Sequence, residues 1–218
     1  MTYTGDVEPG GPADVRELPG LTISKIAVSE MANNAYLLRD PATGEALLVD
    51  AAAEPEALRA LIGDADVRTV VTTHGHWDHH RALPDVVAAT GAQTVAHAAD
   101  AGDLPVPVDR TVAHGDTVAV GEQVLEVVHL RGHTPGSIAL VWRGGGDAGT
   151  HVFTGDSLFP GGPGRTTSPE DFTSLMDDLE ERIFGQFDDA TWFYPGHGKD
   201  STLGAERIQL GEWRARGW

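Results

Sequence analysis

The chain has 218 residues, a formal net charge of −18 and no cysteine, so disulfide bonds and thiolate catalysis are excluded and a cytoplasmic location is the default expectation. The excess of acidic residues argues against a nucleic-acid partner, because phosphate binding relies on clustered lysine and arginine. No apolar run approaches the ~20 residues of a membrane span, and the N-terminus does not resemble a secretory signal.

Predicted elements begin after residues 1–19, which contain several glycines and prolines without periodicity and which we expect to form a flexible arm. Short β-branched and apolar runs predict strands at 21–28, 35–38, 46–49, 67–72, 93–96, 118–120, 124–129, 137–142, 151–153 and 192–194. Amphipathic stretches predict helices at 54–62, 79–89, 169–184 and 203–213. Short strands interspersed with helices indicate one layered α+β or α/β domain over residues 20–218, with helices covering the sheets.

One segment, His74-Gly75-His76-Trp77-Asp78-His79, combines three histidines and an aspartate just after a predicted strand. Side chains at this spacing cannot share one face of a regular helix, but on a loop at a strand end they can surround a pair of metal ions. Imidazole nitrogens and carboxylate oxygens suit Zn²⁺ or Fe²⁺. A polar loop with surface histidines is the alternative, and the low chance frequency of the motif disfavours it.

Three further candidate ligands stand next to glycine or proline beside predicted strands. They are His133 in Gly132-His133-Thr134, Asp156 in Gly155-Asp156 and His197 in Gly196-His197-Gly198. Each is ambiguous alone, because an isolated histidine is more often structural and an aspartate after a strand often forms an Asx turn. All three stand beside glycine or proline, as expected where the backbone comes close to a common centre.

The order and approximate spacing of these motifs resemble the metallo-β-lactamase superfamily from about residue 23 to residue 203. The resemblance implies an αβ/βα sandwich, in which two mixed β-sheets lie face to face with helices outside and a metal cleft at one edge. It also implies two divalent ions, the first bound by His74, His76 and His133, the second by Asp78, His79 and His197, with Asp156 bridging both. We expect zinc, with Fe²⁺ as the alternative, and a hydroxide nucleophile that Asp78 orients or relieves of a proton.

Within the superfamily, residues 153–159 and 194–198 are most similar to the glyoxalase II group, which hydrolyses hydroxyacyl thioesters such as S-lactoylglutathione. This predicts a small-molecule substrate. Antibiotic hydrolysis is disfavoured, because metallo-β-lactamases proper place cysteine or serine where Asp156 stands. Full glyoxalase II has a C-terminal helical domain that contacts the thiol, whereas 21 residues follow His197, so we expect weak dependence on the thiol carrier.

Three alternatives stay open. A lactonase shares the ligand set, and a mononuclear iron persulfide dioxygenase would use the residues that correspond to His74, His133 and Asp156. A non-catalytic metal-dependent binding module is disfavoured, because it has no need of seven ligands around an open site. We interpret His80 as an outward residue of the next helix and expect Arg165 to form an ion pair near the site. The sequence leaves the oligomeric state open.

Overall fold

Strands in the first half of the chain build a seven-stranded mixed sheet. The computed structural model describes residues 3–217. Along the chain, and in the same order side by side, the strands are β1 (Asp14–Leu18), β2 (Leu21–Val28), β3 (Asn33–Arg39), β4 (Glu45–Val49), β5 (Asp66–Val71), β6 (Gln93–His97) and β7 (Arg110–Val112). Neighbours from β1 to β4 pair antiparallel, whereas those from β4 to β7 pair parallel. The carboxyl ends of β4, β5 and β6 therefore lie at the same end of the sheet.

The second half of the chain builds a six-stranded sheet and a short hairpin. The strands are β8 (Thr117–Val120), β9 (Gln123–His129), β10 (Ile138–Gly145), β11 (Gly149–Gly155), the hairpin of β12 (Leu158–Phe159) and β13 (Gly162–Pro163), then β14 (Trp192–Pro195) and β15 (Ser201–Thr202). The six sheet strands lie in the order β15-β14-β11-β10-β9-β8. Their neighbours pair antiparallel except β11 and β14, which are parallel.

Strand periodicity places one set of side chains between the two sheets and the other set under the outer helices. In β10, Ile138, Leu140 and Trp142 belong to the core between the sheets. Ala139 and Val141 of the same strand belong to the cluster on the outer face. All five are buried, so the strand is apolar on both faces over residues 138–142. Because both faces of such a strand are covered, its sequence shows a continuous apolar run and no alternation of polar and apolar residues.

Helices cover the outer faces of both sheets. On the first sheet lie α1 (Pro55–Ile62) and α2 (Leu83–Thr90), and on the second lie α3 (Pro169–Asp178), a π-helical turn (Leu179–Phe184), α4 (Leu203–Arg207) and α5 (Leu210–Arg216). Helix α3 begins where Ser168 Oγ accepts a hydrogen bond from the main-chain N of Asp171 at 3.1 Å. The predicted αβ/βα sandwich of two mixed sheets is confirmed.

The prediction of a flexible arm over residues 1–19 is wrong for Asp14–Leu18, which form β1 at the edge of the first sheet. Exposed positions alternate with half-buried ones in this short, charged strand, so its sequence contains no apolar run that indicates a strand. Tyr3 also contacts the domain, because its hydroxyl donates a hydrogen bond to Asp200. The predicted domain boundary at residue 20 therefore lies too far along the chain. Met1, Thr2 and Trp218 lie outside the described residues.

Two helices differ in detail from their predicted bounds. In place of one helix over 79–89, Trp77–His79 form a 3₁₀ turn and α2 begins at Leu83, with a proline in its first turn. The predicted C-terminal helix is divided into α4 and α5. None of the helices formed by residues 3–217 has the length and apolar character needed to cross a lipid bilayer.

Candidate metal centre

Strand ends from both sheets meet at one end of the sandwich and carry the seven predicted ligands. The loop after β5 carries four of them, the loop after β9 carries one, and the remaining two follow β11 and β14: His74, His76, Asp78 and His79, then His133, Asp156 and His197. Carboxyl ends of strands are where ligands commonly bind in sheets of this kind. The structure places all seven side chains in one cleft.

Three histidines form the first group of candidate ligand atoms. Ring nitrogens of His74, His76 and His133 lie within 4.8 Å of one another. The three ring centroids are 4.6–4.9 Å apart, and the rings stand steeply to each other, at 73–87°. This edge-on arrangement allows three nitrogen lone pairs to converge on one point, as in a zinc site with three histidine ligands.

Asp78, His79 and His197 form a second group, again with ligand atoms within 4.8 Å of one another. His197 Nε2 lies 3.4 Å from Asp78 Oδ2 and 3.2 Å from His79 Nε2. A second convergence of nitrogen and oxygen ligands therefore lies beside the first.

Asp156 lies between the two groups. Its Oδ1 is 3.4 Å from His79 Nε2, and its Oδ2 is 3.7 Å from His133 Nε2 and 3.5 Å from His197 Nε2. Only 12% of its side chain is exposed. One carboxylate thus reaches histidines of both groups.

Among residues 3–217, three buried atoms of this cleft have no hydrogen-bond partner, namely Nε2 of His74, Nε2 of His133 and Oδ1 of Asp156. Leaving a buried polar atom unsatisfied costs about 1–3 kcal/mol. All three atoms belong to side chains that serve as metal ligands in proteins, and a cation in the cleft would satisfy them together. The donor set therefore fits divalent metal ions.

Four of the histidines are oriented by a contact at Nδ1. The partner atoms lie 2.7–3.0 Å away and are Thr73 Oγ1 for His74, Asp50 Oδ2 for His79, the Arg165 carbonyl for His133 and the Met31 carbonyl for His197. When Nδ1–H donates to such an acceptor, the lone pair of the neutral ring is on Nε2. Each Nε2 is then free to bind a metal.

Burial and charge act in opposite directions on the ionisable groups of the cleft. Burial, together with the neighbouring imidazoles, holds the pKa of His74 well below its usual value. Burial also opposes the charged form of His79, but its contacts with the carboxylates of Asp156 and Asp50 outweigh burial and raise the pKa of His79 to about 10. Negative charge is therefore concentrated around His79, where a divalent cation can replace the proton.

Gly196 allows a close approach of the backbone to the candidate ligand side chains. A Cβ atom at this position would overlap Asp156 Oδ1 and crowd the ring of His79. The main-chain N of Gly196 donates to the carbonyl of Gly155 at 2.8 Å, which joins the ends of β11 and β14. This glycine next to a predicted ligand is thus required by packing.

Comparison with known proteins agrees with this fold. Residues 28–197, more than half of the chain, match the family model for the metallo-beta-lactamase superfamily. The chain belongs to that superfamily. The resemblance inferred from its motifs is confirmed.

Relatives within the metallo-beta-lactamase superfamily include a hydroxyacylglutathione hydrolase from Fuscovulum blasticum, 42% identical over 134 residues, which are 61% of this chain and 51% of that protein. The structure of ETHE1 from Myxococcus xanthus superimposes with a TM-score of 0.74 at 30% identity, over 88% of this chain and 84% of that one. TTHA1623 in a di-iron-bound form gives a TM-score of 0.69 at 29% identity, over 84% and 96%. The chain spans about half the length of the curated relatives it matches.

Two buried aspartates of this metallo-beta-lactamase domain were not identified from the sequence. Asp50, just after β4, accepts hydrogen bonds from the main-chain N and Oγ1 of Thr73 at 2.8 Å and contacts His79 Nδ1 at 2.9 Å. Asp100 accepts hydrogen bonds from the main-chain N of Gly75, from Thr134 Oγ1 and from the main-chain N of Gly136. Asp50 has the signal used for Asp156, an aspartate at a predicted strand end, whereas Asp100 has no local signal.

Two expectations about residues next to the ligands are wrong. His80 is buried, not outward, and its Nε2 lies 3.2 Å from the carbonyl of Gly75, because the preceding turn is 3₁₀ and α2 begins later than predicted. For Arg165, the main-chain carbonyl meets His133 Nδ1 at 2.7 Å, and within residues 3–217 the guanidinium forms no ion pair.

Proposed function

We propose that this cleft hydrolyses small hydroxyacyl thioesters with two divalent metal ions, zinc in preference to Fe²⁺. The observation that supports this most directly is the carboxylate of Asp156, within 3.4–3.7 Å of histidines in both groups, because one such carboxylate can join two ions. The relatives named hydroxyacylglutathione hydrolase indicate the thioester class, and the di-iron-bound form of TTHA1623 is in keeping with a pair of ions.

The first ion would be held by His74, His76 and His133, the second by Asp78, His79 and His197, and Asp156 would bridge them. Such ions supply Lewis acidity and lower the pKa of a coordinated water to about 7. The histidines that contact Asp50, Arg165 and Met31 through Nδ1 keep their Nε2 atoms directed at the reacting centre.

Asp78 is the residue to which we assign proton transfer and orientation of the nucleophile. Asn33 Nδ2 donates to its Oδ2 at 2.8 Å and fixes the plane of the carboxylate. Burial would raise the pKa of Asp78, but the charge of His79 and the hydrogen bond from Asn33 lower it. The carboxylate is therefore ionised at neutral pH and able to accept a proton.

Two cavities are lined by residues of the loop that carries His76 and Asp78. One of about 510 Å³ is lined by His76 and His133 together with the hydroxyl and carboxylate groups of Thr167, Asp171 and Ser174. Polar groups of this kind suit the hydroxyl of a hydroxyacyl group. The other, of about 470 Å³, is lined by Met31, Trp77 and Arg81 and has room for the rest of the thioester.

The test is a substrate panel on one zinc-loaded preparation, with thiol release measured for S-lactoylglutathione and for lactoyl esters of shorter thiols. We expect release from these thioesters that is absent in an Asp156→Ala control. The shorter thiols measure the expected weak dependence on the carrier, and a lactone in the panel tests the lactonase alternative. Oxygen uptake with a thiol persulfide by iron-loaded protein, without thioester cleavage, would contradict the hydrolase proposal.

A further inference from the structure

Lys25 occupies a core position between the sheets. In β2, Leu21 and Ile23 face the core between the sheets, and Lys25 is the next residue on the same side of the strand. Its side chain is fully buried, and its ammonium group has three partners: Asp200 Oδ1 at 2.6 Å, the Gly5 carbonyl at 2.6 Å and the Gly198 carbonyl at 2.8 Å.

Stability of the fold does not require an ion pair at this position. Taking two charges out of water costs several kcal/mol per ion, and replacing a buried ion pair with apolar side chains is often neutral or stabilising. The Lys25–Asp200 pair, with both side chains 0% exposed, is of this costly kind. The contacts of this ion pair therefore say more about its role than its contribution to the stability of the fold does.

The Lys25 ammonium reaches the loop that carries His197. The carbonyl of Gly198 accepts hydrogen bonds from Lys25 Nζ and from Asn34 Nδ2, at 2.8 and 2.9 Å. The carbonyl of Pro195 accepts from Asn34 Nδ2 and from Tyr36 Oη. Side chains of β2 and β3 thus hold the backbone on both sides of His197.

The N-terminal segment, residues 3–6, closes over the same pair. Tyr3 Oη donates to Asp200 Oδ2 at 2.5 Å, and Asp6 pairs with Lys199 at 2.7 Å. Gly5 has φ +70°, and a Cβ atom there would overlap the carboxylate of Asp200, so the backbone approaches as closely as a glycine permits. The segment, Lys25 and Asp200 all lie outside the family match at residues 28–197.

We propose that Lys25, Asp200 and residues 3–6 form a clamp that positions His197 for the second metal ion. The clamp acts through the Gly198 carbonyl and touches neither metal nor substrate, so its members are positioning residues. The inference rests on the two-metal site proposed above. It predicts that loss of the clamp lowers the affinity for the second ion. The affinity for the first ion should be unchanged, because its ligands are on other loops.

The test measures stepwise zinc affinities by competition with a chromophoric chelator, alongside urea unfolding of the metal-free protein. The Lys25→Met/Asp200→Leu double variant removes both charges together, so we expect it to fold with near-normal stability. Its second zinc should bind roughly tenfold more weakly, the lower end of the effect of losing an outer-shell partner. Arg59→Met/Glu56→Leu is the matched control, because it removes an ion pair of α1 whose side chains are 46% and 83% exposed, and it should leave both affinities unchanged.

A folded double variant that binds both zinc ions as the wild type does would overturn the clamp and leave the two-metal site intact. Wild-type protein that binds a single ion would overturn both proposals. If the double variant does not fold, Tyr3→Phe tests the clamp instead, because it removes only the hydrogen bond to Asp200. A measurably lower affinity for the second ion alone supports the clamp, and unchanged affinities for both ions refute it.

Discussion

Asp50 offers an informative substitution outside the ligand set. Its buried carboxylate accepts two hydrogen bonds from Thr73 and contacts His79 Nδ1 at 2.9 Å. Asparagine has nearly the same shape, but its amide nitrogen cannot accept a hydrogen bond. In Asp50→Asn, a donor of Thr73 or of His79 therefore faces another donor in either orientation of the amide.

The expected magnitude follows from these contacts. One unsatisfied buried donor costs about 1–3 kcal/mol, and we expect the metal-free variant to lose that much stability. Losing the partner that orients a ligating histidine lowers metal affinity roughly 10–100-fold, or about 1.4–2.7 kcal/mol. The loss should fall mainly on the ion bound by His79, since Asp50 contacts that ring directly.

Urea unfolding and competition with a chromophoric chelator measure the two quantities. Asp64→Asn is the control, because the Asp64 side chain is 94% exposed and its 3.7 Å ion pair with Arg39 should contribute little. A folded Asp50→Asn protein with wild-type affinity for both zinc ions would refute the role assigned to Asp50.

Three further predictions test individual side chains. His80→Ala should retain kcat/KM under saturating zinc while His79→Ala loses it, because the buried His80 ring contacts the carbonyl of Gly75 and not the candidate ligand atoms. Equal large losses in variants with intact circular-dichroism spectra would show that the ligand register is misassigned. Asp156→Ala should abolish turnover with an intact circular-dichroism spectrum, and near-normal activity would rule out the bridge. Burial lowers the pKa of His151 from 6.5 to about 4, so the unfolded chain binds the extra proton and this residue should contribute a loss of about 3 kcal/mol of stability as the pH drops from 6.5 to 4. His151→Gln should lose less stability over this range, and identical pH profiles in urea unfolding would contradict the buried neutral ring.

The long strands were predictable because they are buried and their sequences are therefore mostly apolar. β2 was predicted with its observed bounds, and β10 is apolar on both faces. β7, β12, β13 and β15 are two or three residues long, so they carry no measurable period. β1 was missed because its residues alternate between exposed and half-buried positions and several of them are charged, so the segment has no apolar run. Its pairing with β2 is what makes it a strand.

The candidate ligands could be selected from the sequence because each stands in a short motif at a strand end, whereas the residues that support them could not. Asp100 joins the loop of Gly75 to the loop of Thr134, two segments that are distant in sequence and meet only in the folded chain. The burial of His80 depends on a 3₁₀ turn that shifts the start of the next helix, which residue spacing does not reveal. The clamp around Lys25 likewise depends on contacts across 20 and 175 residues of sequence.

The central claim is that the cleft holds a pair of metal ions bridged by Asp156. Elemental analysis of the protein, purified without added metal and again after loading with zinc and removal of excess, tests it most directly. Seven ligand side chains exceed what one tetrahedral ion takes, so the account predicts close to two ions per loaded chain. At most one ion per chain after loading would contradict it.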